Sequence, residues 1–70
     1  MSIAKDLERE LRVETEELSN RIVKLEQFMN GDDFKSFSDD DRFLLAIQHH
    51  MMLLYSSVLD KRISKLNLGA

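Results

Sequence analysis

Residues 30–41 read NGDDFKSFSDDD, and the reading of this stretch decides the fold. Asn30-Gly31 reads as a helix stop, because glycine accepts the left-handed conformation that a C-terminal cap needs. Ser38 reads as the N-cap of a new helix: Asp41 completes an S-x-x-D box, and Asp39 and Asp40 complement the positive end of the helix dipole. Only a short polar turn separates the stop from the start. Two long amphipathic segments joined so closely pack side by side in opposite directions. The spacing therefore predicts an all-α fold, an antiparallel two-helix hairpin occupying residues 1–70 as one domain. Its helices run from about 3 to 29 and from about 39 to 66, with a turn over 30–38.

Upstream of the turn, Leu7, Leu11, Leu18, Ile22, Leu25 and Met29 fall within about 60° of one another on a helix. Leu7 and Leu18, Leu11 and Ile22, and Leu18 and Met29 are each eleven apart, a spacing that keeps the seam nearly straight. Glu8 with Arg12 and Glu17 with Arg21 are favourable i,i+4 pairs on the solvated side. Downstream, Leu44, Ile47, Met51, Tyr55, Val58 and Leu66 form one stripe. Phe43, Leu45, Met52, Leu54, Leu59 and Ile63 widen it to about 200° of the circumference. One partner helix cannot cover that arc, so a second interface is expected, giving a helical-bundle homo-oligomer, a dimer or a ring of dimers.

Composition agrees with a helical assembly. A third of the residues are charged, there is no proline, and glycine occurs twice. Seventy residues bury little surface, and with no cysteine the chain has no disulfide to compensate. A net charge of -3 argues against gripping a nucleic-acid duplex, which needs many Lys and Arg contacts to phosphate. No segment has the form of a signal peptide, and no apolar run approaches the ~20 residues that cross a bilayer. A cytoplasmic protein away from the membrane is the expectation.

The residues with chemistry to offer are few. His49 and His50 point about 100° apart on a helix, so they cannot converge on one metal from a single chain. They flank the apolar arc, either hydrogen-bonded at a seam, touching a ligand, or meeting a metal through symmetry-related copies. Met51 and Met52 read as adaptable core and interface filler. Tyr55 is either packed with its hydroxyl satisfied or a stacking surface for a base. Glu14 lies inside the apolar stripe, where an unpaired carboxylate is expensive. The hairpin register brings it level with residues 58–62, so Arg62 is its expected partner; alternatively the two line a polar cavity between subunits. Gln48 is a second polar residue in an apolar arc. Arg21 and Lys24 flank the seam of the first helix and are either surface charge or the cations best placed for a phosphate. The three aspartates after Ser38 spoil the second helix's start as an anion site. No spacing assembles a nucleophile, a base and an orienting group, so an enzyme is not expected, nor is a cofactor or a bound metal.

The segment RIVKLEQFMNGDDFKSFSDDDRFLLAIQHHMMLLYSSVLDKRI, residues 21–63, resembles a family of small bacteriophage helical-hairpin proteins that includes members from crAss-like phages. Arg21, Ile22, Lys24, Leu25 and Phe28 match the first part of the family's pattern. Ser38, Leu44, Leu45, Gln48, Met52, Tyr55, Leu59, Arg62 and Ile63 match the rest, and Phe37 departs from it where leucine is usual. At the level of fold the hairpin is also similar to phage anti-defence sponges that sequester cyclic oligonucleotide or cyclic ADP-ribose signals. The resemblance implies a phage protein that binds a small nucleotide-derived immune signal between subunits without turning it over. No motif carries the sponges' binding residues over to this chain; from the chemistry of its own residues, Arg21, Lys24 and Arg62 would hold phosphates, and Gln48, His49 and Tyr55 would contact bases or ribose. The rival expectation is a helical interaction module that inhibits or scaffolds a host or phage protein.

Overall fold

The computed structural model describes residues 3–69; residues 1, 2 and 70 of the expected domain lie outside it. Helix α1 spans Ile3–Met29, a one-turn α2 spans Asp32–Lys35, and α3 spans Asp39–Gly69. Helices α1 and α3 lie against each other as the two arms of a hairpin 51 × 15 × 13 Å in extent. The fold is all-α, and the described residues contain no strand.

The first arm packs as its periodicity requires. Leu11, Leu18 and Ile22 are buried, with Leu7 packed beside them, and Arg12 on the outer face bonds Glu8 at 2.8 Å. Glu17 and Arg21 form no ion pair among the described residues. The second arm presents a different stripe from the one that begins at Leu44. Leu59 is fully buried, and Met52, Ile63 and Leu66 pack onto the core; Leu45, His49 and Ser56 complete that row, half-buried. From Leu45 to Leu66 these positions alternate steps of four and three, the 3.5-residue repeat of a helix seam. Leu44, Ile47, Met51, Tyr55 and Val58 stay exposed. The broad apolar arc is thus real, and α1 covers only one side of it.

The connection corrects the glycine expectation. Gly31 is not left-handed: its φ of -89° and ψ of 172° are extended, and it opens α2 rather than capping α1. The last turn of α1 closes instead through Gly31 N–H to Phe28 O at 3.0 Å. An added Cβ would meet that same oxygen at 3.4 Å, ordinary contact, so neither backbone nor space demands glycine. What shapes the turn is aromatic packing. Phe28 meets Phe34 and Phe37 edge-on, at centroid distances of 6.0 and 5.3 Å. Ser38 caps α3 as expected, with Asp41 N–H donating to its Oγ at 3.1 Å and Arg42 N–H to its carbonyl at 2.9 Å.

Candidate functional site

The polar residue in the α1 stripe finds its partner on α3. The Tyr55 hydroxyl donates a hydrogen bond to Glu14 Oε2. This replaces the expected pairing of Glu14 with Arg62: the long phenol reaches diagonally across the seam and takes the carboxylate first. Accepting that bond, Glu14 raises the Tyr55 pKa above 10.0, because it stabilises the protonated phenol; partial burial and the carboxylate's charge add to the shift, and the positive charge of Arg62 opposes it. Arg62 stands seven residues beyond Tyr55, on the same side of α3.

Gln48 and Arg21 are heptad equivalents of this pair. Moving seven residues toward the turn in each arm leads from Tyr55 to Gln48 and from Glu14 to Arg21, so the antiparallel register sets these two at one level on the same flank. Both are exposed. Lys24, also exposed, lies about 60° farther round α1 from Arg21, away from the seam. The hairpin therefore arranges Arg21, Gln48, the Tyr55–Glu14 pair and Arg62 along one edge.

His49 belongs to the other edge. It stands about 120° round α3 from Tyr55, and its Nε2 lies 2.9 Å from Glu26 Oε2, across the seam. Its partner comes from the facing arm, not from its own helix. Sequence spacing could reveal Glu26 only with the hairpin register in hand. His50 points away, exposed, and Met51 is exposed while Met52 packs on the core. Among the described residues no group of three or more His, Cys, Asp or Glu side chains is placed to hold a metal ion. No helix of the described residues is long and apolar enough to cross a membrane.

The surface concavities of the hairpin are shallow and open. One, near the turn, is lined by Glu26, Met29, Asn30 and His49; another, on the same edge, by Arg12, Thr15, Asp60 and Ile63. Open grooves of this kind do not enclose most of a small molecule's surface, as binding pockets do. Enclosure of a small ligand would have to come from a second surface.

Residues 5–65 match the model of the Sequestin family. The chain belongs to that family. The match takes in both long arms and the turn, so the edge carrying Arg21, Gln48, Tyr55 and Arg62 lies wholly within the Sequestin region. No curated protein and no solved structure is similar enough to add a relative to this Sequestin-family hairpin.

Proposed function

We propose that this chain is a phage anti-defence sponge: it binds a small nucleotide-derived immune signal, of cyclic oligonucleotide or cyclic ADP-ribose type, and sequesters it without chemical change in the host cytoplasm. The observation that carries the reading is the polar edge beside an uncovered apolar face. The edge offers cations at Arg21 and Arg62 for phosphate, and a carboxylate, a phenol and an amide at Glu14, Tyr55 and Gln48 for ribose hydroxyls and base edges. The apolar face offers a second subunit to close it. The name of the Sequestin family, which denotes sequestration, supports the same direction. Lys24 supplements the positive charge from outside the seam, and His49, held by Glu26 on the far edge, would reach only a ligand that spans the hairpin.

Calorimetry and thermal shift against cyclic di- and trinucleotides, cyclic ADP-ribose isomers and linear controls test the reading. At least one cyclic compound should bind and be recovered unchanged after heat denaturation. Arg21→Glu should weaken that binding by at least about tenfold, the scale of one lost charge-assisted contact turned repulsive. Indifference to every compound would end the sponge reading. The exposed stripe also supports a second reading, an interaction module that inhibits or scaffolds a host or phage protein, which would show as a stoichiometric protein complex recovered from infected cells with no nucleotide bound.

A further inference from the structure

Helix α3 carries two seams. The first is covered by α1; the second, Leu44, Ile47, Met51, Leu54 and Val58, repeats the same steps of three and four about 140° round the helix. All five are exposed, Leu44 at 62% and Met51 at 54%. A row with the period of a helix seam asks for a helix. We propose that its occupant is the same row of a second copy, antiparallel, with Met51 of the two copies meeting on a two-fold axis.

Most of the pattern is its own complement. Counting equally outward from Met51, Ile47 comes opposite Tyr55, Leu44 opposite Val58 and, beyond the apolar stretch, Asp40 opposite Arg62. Leu54 comes opposite Gln48, the other positions of the row meet apolar or aromatic side chains, and an acid meets a base at each end. Heptad slips and a parallel pairing lose this. A slip of one heptad in one sense sets Arg62 against Ile47 and Lys65 against Leu44; in the other sense it sets Asp40 against Tyr55. A parallel pairing stacks Asp40 on Asp40 and Arg62 on Arg62. Charge complementarity therefore favours the antiparallel direction and opposes a heptad slip. The shortage of core in the isolated hairpin, with four buried apolar side chains among the described residues, supplies the drive.

The geometry has a product. Because the two seams are about 140° and not 180° apart, both α1 arms lie toward one side of the paired α3 helices, and that side is concave. The row of α3 between the seams faces into the groove. Gln48 of each copy comes level, within one residue or about 1.5 Å along the axis, with Tyr55 of the other. The groove over the two-fold thus holds two copies each of Arg21, Gln48 and the Tyr55–Glu14 pair. The dimer does not depend on the sponge reading, although a ligand in this groove does.

The chain has no cysteine, so single cysteines report the register cleanly. Met51→Cys should form a disulfide-linked dimer under mild oxidation, while Ser57→Cys, on the solvent side of α3, should not. Sedimentation without any ligand should show a dimer. Asp40→Lys or Arg62→Glu alone should raise its dissociation constant roughly tenfold, since two rim pairs turn repulsive in each dimer, and the double reversal should restore it. Circular dichroism confirms that each variant is helical. A helical monomer at high concentration overturns the proposal, as does equal crosslinking at positions 51 and 57, or a double reversal no better than the singles. A dimer that binds no nucleotide leaves this interface standing and removes the sponge; nucleotide binding by a monomer does the opposite.

Discussion

Tyr55 is the one tyrosine of the chain, and there is no tryptophan, so its ionisation can be read directly from absorbance. The Glu14 hydrogen bond, more than burial, pushes its pKa above 10.0. Glu14→Leu should lower the phenolate transition, and Arg62→Ala should move it higher, because the opposing charge is gone. The sign for stability follows from linkage. The folded chain holds the phenol proton more tightly than the unfolded chain does, so the contribution is whole below pH 10 and lost as pH rises through the raised pKa. The melting-temperature advantage of the wild type over Tyr55→Phe should therefore shrink above pH 10; an advantage that grows there would contradict the hydrogen bond. At this scale the sequence showed that Glu14 needed a partner but not which one. Tyr55 and Arg62 share one side of α3, and side-chain reach across the seam decides between them.

At the scale of elements, the start of α3 rests on Ser38. Its hydroxyl accepts the Asp41 N–H at 3.1 Å, so Ser38→Ala should cost about 1 kcal/mol in denaturant unfolding at fixed protein concentration, and Ser38→Gly only a few tenths. No difference between alanine and wild type would show the cap to be idle. This boundary was legible because capping is local chemistry. The α2 turn was not, since DDFK makes a turn of helix only where Phe34 and Phe37 close on Phe28, a contact that the hairpin itself creates. The facing seam of α3 was hidden for another reason. Both seams are apolar and share one period, so periodicity could not rank them, and the covered one is the seam that includes His49 and Ser56. Their cost is met differently: His49 by Glu26, Ser56 by half-exposure at the edge.

For the whole molecule, the core is small enough that one residue can undo it. Leu59 is fully buried, and Leu59→Ala should cost about 2–5 kcal/mol. A single core in a chain of this size supplies about 3–5 kcal/mol in total, so the variant should lose most of its helical signal when dilute. Because association stabilises only the folded chain, raising the concentration should recover part of that signal, and the wild-type melting temperature should likewise climb with concentration. A melting temperature that ignores concentration would mean that α3 keeps its apolar row in water. The hairpin itself, read from two helices and one turn, was plain in the sequence, whereas the two-edged division of its polar residues depends on how α1 lies across α3.

The proportions of the hairpin, 51 Å long and 13–15 Å across, give it the outline of a short rod. Two such rods joined along their flanks thicken without much growth in length: the proposed register displaces the midpoints of the two α3 helices by roughly 9 Å along their common axis. In small-angle X-ray scattering the girth of the particle would swell while its greatest dimension changed little, so that pairing leaves its signature in the cross-section.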